Sequence, residues 1–103
     1  MNRIERITEM ERCLDASRKA VDRLTEAFDA YEAVQKDYLK LSDYYGSARW
    51  NEDYDADAAG KLPASLKRGV LSEDAVYDLI TDNHELAVRM LKVITKALQD
   101  QAL

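Results

Sequence analysis

Residues 2–45 contain neither glycine nor proline. All three glycines and the single proline of this 103-residue chain lie between residues 46 and 69. Glycine and proline are the strongest local breakers of regular structure, so the stretches on either side can form long uninterrupted elements. The distribution predicts two long helices, at about 2–45 and 72–101, joined by a connector at 46–71.

The first long stretch repeats its apolar residues every seven positions, which is typical of a helix that pairs with another helix in a left-handed supercoil. Charged residues and alanine occupy most of the b, c and f positions of the repeat. The a positions are Ile7, Leu14, Val21, Phe28, Gln35 and Ser42, the d positions are Met10, Ser17, Leu24, Tyr31, Tyr38 and Tyr45, and the g positions include Cys13, Ala20, Ala27, Val34 and Leu41.

The second long helix is predicted to begin at Ser72, because serine is a favoured N-cap and Glu73 and Asp74 would complement the helix dipole in the first turn. Within the connector, Ser47 is expected to cap a short helix that ends at Gly60. Pro63 is expected to open a further short helical segment that ends near residue 69.

These elements predict an all-α protein with one helical domain: a long helix at 1–45, a connector at 46–71 and a long antiparallel helix at 72–103, bundle-like or coiled-coil-like. The second helix is shorter than the first and leaves part of it without cover. A hairpin of two helices also cannot enclose a core, so we expect a homodimer. The oligomer-interface candidates are Ile4, Ile7, Met10, Leu14, Asn83 and His84.

The charge balance argues against two classes of partner. The formal net charge is −5, and nucleic acids and anionic membranes are both negative. No 18-residue apolar run is present, and the single cysteine, Cys13, cannot form an internal disulfide. We therefore expect a cytoplasmic protein that binds neither nucleic acid nor membrane.

No motif in the sequence indicates catalysis or a cofactor. The acidic run at Asp53, Asp55 and Asp57 resembles the start of a calcium loop, but Ala58 and Ala64 stand where that loop needs glycine and glutamate. His84 is the only histidine and has no accompanying zinc-ligand pattern. We therefore expect no metal, no cofactor and no enzymatic activity.

The connector is the favoured site of function, since aromatic and charged residues cluster there and aromatic residues dominate binding hot spots. The interaction candidates are Tyr44, Tyr45, Trp50, Asp53, Tyr54, Asp57, Lys67 and Arg68. The favoured hypothesis is a protein–protein interaction or regulatory module, although the connector can instead be a structural joint.

Two alternative functions remain open. In the first, an acidic inhibitor or nucleic-acid mimic occupies a basic groove through Glu52, Asp53, Asp55 and Asp57. In the second, an enzyme acts on an anionic small molecule near Lys67, Arg68 and His84.

The connector and its flanks also carry specific sequence motifs. These are Trp50-Asn51-Glu52-Asp53-Tyr54, Gly60-Lys61-Leu62-Pro63 and the run from Leu66 to Leu79, preceded by an RIERIT-type opening at Arg3–Asp15 and by Tyr44-Tyr45-Gly46. With these motifs the chain resembles a family of short bacterial proteins that carry a domain of unknown function. The resemblance implies an all-helical bacterial protein, and it implies no catalytic residues.

Overall fold

The computed structural model describes residues 1–101 of the chain. Four α-helices follow one another within this range, and no residue of it forms a strand. A single turn of 3₁₀-helix at Gly69–Leu71 precedes the last of them. The predicted all-α class is confirmed. The helices are α1 (Arg3–Ala33), α2 (Gln35–Tyr44), α3 (Ala48–Ala58) and α4 (Ala75–Asp100).

The chain divides into two units, Met1–Tyr38 and Leu39–Leu103. The first unit contains α1, whose N-terminus is capped by Asn2: its side-chain oxygen accepts a hydrogen bond from the Glu5 backbone N–H at 2.8 Å. No residue of α1 is buried. The amphipathic pattern of α1 therefore presents an uncovered apolar face.

The long helix predicted at 2–45 is interrupted at Val34, so that prediction is wrong in its extent. The Val34 backbone N–H donates to the carbonyl of Tyr31 at 3.3 Å, a tighter three-residue turn, and the Gln35 side chain donates to the same carbonyl at 3.4 Å. The interruption coincides with a weaker apolar repeat, since Gln35 takes the a position that follows Phe28.

In the second unit, the first half of the connector follows the prediction. Gly46 has φ of +76° and Gly60 has φ of +70°, the left-handed conformation in which glycine ends helices. Ser47 is the N-cap of α3, and its hydroxyl accepts from the Trp50 backbone N–H at 3.2 Å. Two glycines and a serine thus define the short helix between them.

The second half of the connector is not helical, so the short helix expected from Pro63 is absent. Residues 61–68 form turns and irregular backbone, with one bond from the Leu66 N–H to the Pro63 carbonyl at 3.1 Å. The helical turn comes later, at Gly69–Leu71. Arg68 explains part of this difference, because its side chain binds the Pro63 carbonyl at 2.7 Å and closes the loop without a helix.

The last helix begins at Ala75, three residues after the predicted start at Ser72. The Ser72 hydroxyl still accepts from the Ala75 backbone N–H at 3.2 Å, so it binds the start of α4 from a position outside the helix. The buried core of the described chain consists of Leu71 and Val76 alone, which lie on either side of this junction.

Candidate functional site

Three aromatic side chains predicted as interaction residues come together between α2, α3 and the start of α4. The Trp50 ring stacks on Tyr54 with ring centroids 5.2 Å apart and an interplanar angle of 22°. The Tyr45 and Trp50 rings form a T-shaped contact, with centroids 5.3 Å apart and an interplanar angle of 70°. Both arrangements are favourable aromatic geometries. Trp50 is therefore the centre of an aromatic cluster.

The polar atoms of this cluster bind the segment that leads into α4. The Trp50 indole N–H donates to the Val70 carbonyl at 2.9 Å. The Tyr45 hydroxyl donates to the Glu73 backbone carbonyl at 3.1 Å, and the Tyr54 hydroxyl donates to the Glu73 carboxylate at 3.3 Å. The negative charge of Glu73 and its hydrogen bond raise the pKa of Tyr54.

A second pair joins the end of α2 to α3. The Tyr44 hydroxyl donates to a carboxylate oxygen of Asp53 at 2.6 Å, the short distance of a charge-assisted hydrogen bond. This bond favours the protonated hydroxyl and raises the pKa of Tyr44 to about 12. Asp53 and Asp57 lie one turn apart on α3, as a helical reading of the acidic run predicts.

An ion pair joins α3 to the irregular half of the connector. Arg68 binds Asp57 at 2.5 Å with one guanidinium nitrogen and the Pro63 carbonyl with another. Both charged side chains are about 30% exposed, at 31% for Arg68 and 27% for Asp57. This ion pair therefore ties the irregular half of the connector to the end of α3.

We call this set of interacting residues the connector clasp. Seven of the eight predicted interaction residues belong to it, while Lys67 does not. The sequence analysis does not predict two members, Glu73 and Val70. Glu73 accepts hydrogen bonds through its backbone carbonyl and its carboxylate, and Val70 accepts one through its backbone carbonyl alone. The members are Tyr44, Tyr45, Trp50, Asp53, Tyr54, Asp57, Arg68, Val70 and Glu73.

Lys67 instead lines an open, mostly apolar groove beside the clasp. The groove has a volume of about 470 Å³. Its lining includes side chains from α2, from the turn before α4 and from the first turns of α4. The lining residues are Leu41, Lys67, Gly69, Val70, Ala75, Val76 and Leu79.

The predicted oligomer-interface residues of α1 are all exposed in the single chain. The exposed fraction is 77% for Ile4, 60% for Leu14, 55% for Met10 and 54% for Ile7. The polar face of α1 carries its own ion pairs, Glu9 with Arg12 at 2.6 Å and Arg18 with Asp22 at 2.9 Å. The hydrogen bond from Arg12 lowers the pKa of Glu9 and raises that of Arg12.

The two α4 candidates differ in their surroundings. Asn83 is half-buried, whereas His84 is exposed on a shallow surface with Glu85, Arg89 and neighbouring residues of the same helix. His84 lies nine residues into α4, about 14 Å along the axis from Ala75. The structure therefore does not bring His84 to the connector clasp.

Two general features of the described chain bear on function. Among residues 1–101, no group of three or more histidine, cysteine, aspartate or glutamate side chains is arranged to hold a metal ion. None of the helices in that range combines the length and apolar character needed to cross a membrane.

Comparison with known protein families finds a family model that matches most of the chain. The model of the domain of unknown function DUF4298 matches residues 7–93, which include most of α1, the whole clasp and most of α4. The chain belongs to the DUF4298 family. The resemblance to a family of unknown function is thereby confirmed. A comparison with curated proteins found no match. The DUF4298 match therefore covers the clasp and the exposed face of α1 from Ile7 onward.

Proposed function

We propose that this protein is a cytoplasmic, non-enzymatic protein–protein interaction module whose first partner is a second copy of the same chain. The observation that carries the proposal is the burial pattern. Only Leu71 and Val76 are buried among the described residues, whereas large apolar side chains along α1 and α4 are exposed. Burying such a side chain completely from full exposure contributes about 1.5–3 kcal/mol, and these half-exposed side chains gain part of that amount. A partner that covers these faces supplies the missing core.

The contacts of the connector clasp support a scaffolding role for it. Its tyrosine hydroxyls, its indole N–H and its ion pair are already bonded within the chain. Breaking these bonds to bind a partner costs about 1 kcal/mol each, and more for the charged pair. The clasp therefore fixes the connector, and the apolar helix faces are the surfaces left for recognition.

The two alternative functions gain less support from the contacts. In the acidic-inhibitor hypothesis, Asp53 and Asp57 are both occupied, by Tyr44 and Arg68. In the enzyme hypothesis, Arg68 is held by Asp57 and the Pro63 carbonyl. A mimic or an anion-binding enzyme works best with charges that its partner can reach, so the interaction module is the better-supported function.

The test is the mass of the full chain in solution, measured by light scattering at micromolar concentration. The wild type is expected to have the mass of a dimer. Leu14→Lys places a charge on the apolar face of α1 and is expected to give a monomer. Ala16→Lys adds the same charge at a c position, away from that face, and is expected to remain a dimer. A monomeric wild type contradicts the proposal.

A further inference from the structure

The exposed face of α1 has the pattern of a two-stranded seam. Its heptad repeat continues through one unbroken helix of 31 residues, about 46 Å long. β-Branched residues at a with leucine at d favour two strands, and α1 has Ile7 and Val21 at two of its four a positions and Leu24 at one d position. The exposed fractions of these three side chains are 54%, 51% and 57%. A second copy of α1 has the length and the period that match this stripe.

Two opposite charges lie on the two edges of this stripe. Arg6 occupies a g position and Glu11 the e position that follows it by five residues. Residues five apart on a helix are rotated by about 140° from each other, so Arg6 and Glu11 of one helix cannot pair. Within residues 1–101, neither of them has an ion-pair partner. In a parallel pair of helices, the g position of one helix faces the e position five residues further along the other helix.

We propose that two copies of the chain pair through α1 in parallel and in register, with Arg6 of each copy facing Glu11 of the other. The twofold symmetry of such a dimer produces this attractive contact twice. The inference rests on the proposed function and adds to it the identity of the surface and the direction of the two helices.

The antiparallel alternative places like charges together. Arg18 is the middle residue of α1 and occupies an e position. In an antiparallel pair, e positions face e positions, so full overlap of the two helices brings Arg18 of one copy, which is paired with Asp22 of its own helix, against Arg18 of the other. Like charges across a pair of helices are destabilising. The parallel, in-register arrangement thus pairs Arg6 with Glu11, whereas the fully overlapped antiparallel one brings no opposite charges together at its e and g positions.

The test is cysteine cross-linking in the full chain, with Cys13→Ser as background. Met10→Cys lies at a d position and meets its own copy only in a parallel, in-register dimer. It is therefore expected to form a covalent dimer on a non-reducing gel after air oxidation. Ala16→Cys, at an outer c position, is the matched control and is expected to remain uncross-linked.

The antiparallel arrangement is tested with a mixture of Met10→Cys and Phe28→Cys chains. These positions meet across an antiparallel seam and are about 27 Å apart along the axis of a parallel one. Cross-linking in the mixture, without cross-linking of Met10→Cys alone, contradicts the parallel direction. It leaves the proposed function as an interaction module unchanged. A dimer that cross-links in neither case overturns α1 as the seam. A monomer by light scattering overturns both proposals.

Charge reversal provides a measurement that does not depend on cysteine. Arg6→Glu and Glu11→Arg are each expected to weaken dimerisation, by about tenfold in the dissociation constant. The double variant restores opposite charges and is expected to recover most of the wild-type affinity. Equal losses in the single variants without recovery in the double variant contradict the Arg6–Glu11 contact.

Discussion

The indole N–H of Trp50 donates to the backbone carbonyl of Val70 at 2.9 Å, across twenty residues of sequence. Trp50 lies in the first turn of α3, and Val70 lies in the turn immediately before α4. One side chain thus fixes where the irregular half of the connector returns to a helix. Leu71, next to Val70, is one of the two buried residues of the described chain. The clasp and the small core are therefore parts of the same junction.

Replacement of Trp50 separates the hydrogen bond from the ring packing. Trp50→Phe keeps an aromatic ring between Tyr45 and Tyr54 but removes the N–H donor. We expect a loss of about 1 kcal/mol in the free energy of unfolding, the net value of one hydrogen bond. Trp50→Ala removes both contacts and is expected to cost more. Urea unfolding followed by circular dichroism measures the difference, and equal losses in the two variants would contradict a role for the ring contacts.

The Tyr44–Asp53 bond predicts an unusual titration at high pH. The pKa of Tyr44 is raised from 10.0 to about 12, so this hydroxyl keeps its proton when an unfolded tyrosine has released it. The stability from this bond is therefore complete below pH 10 and is lost as the pH rises towards 12. Tyrosinate absorbance measures the titration. Asp53→Asn is expected to return this tyrosine towards its ordinary pKa, and Tyr44→Phe to remove the late step.

The glycine conformations predict a position-dependent cost of alanine. Gly46 and Gly60 have positive φ, where a side chain is strained, although neither has an atom near an added Cβ. Gly60→Ala and Gly46→Ala are expected to destabilise the fold by about 1 kcal/mol each. Gly69→Ala is the matched control, because Gly69 has an ordinary φ and the same open space. A loss at Gly69 as large as at Gly60 would show that strain is not the cause.

The Arg68–Asp57 pair predicts the protection of residues 61–68 from trypsin. Lys61 and Lys67 are exposed cleavage sites in this irregular segment. Asp57→Asn removes the ion pair and leaves every trypsin site in place. We expect cleavage after these lysines to be several times faster in the variant, since local opening then costs less free energy. Asp55→Asn changes an aspartate outside the ion pairs of the described chain and is expected to leave the cleavage rate unchanged.

The sequence predicts the all-α class, the bounds of α3 and most members of the clasp, for different physical reasons. Helix ends are local, so Gly46, Ser47 and Gly60 predicted α3 from their own conformational preferences. The irregular half of the connector depends on contacts between residues distant in sequence, such as Trp50 with Val70 and Arg68 with Asp57, and the helix predicted from Pro63 does not form. Val70 contributes to the clasp through its backbone carbonyl, and the identity of its side chain therefore does not indicate this contact. The break at Val34 has no glycine or proline near it, and the sequence marks it only by the polar residues at the a positions after Phe28.

The central claim is that a second copy supplies the core that one chain lacks. The most direct measurement is the thermal unfolding midpoint of the unmodified full chain as a function of its concentration, followed by the helical circular dichroism signal. Association stabilises the folded state by mass action, so we predict that the midpoint rises steadily with concentration. A midpoint that stays constant over a range of about a hundredfold in concentration would contradict the claim.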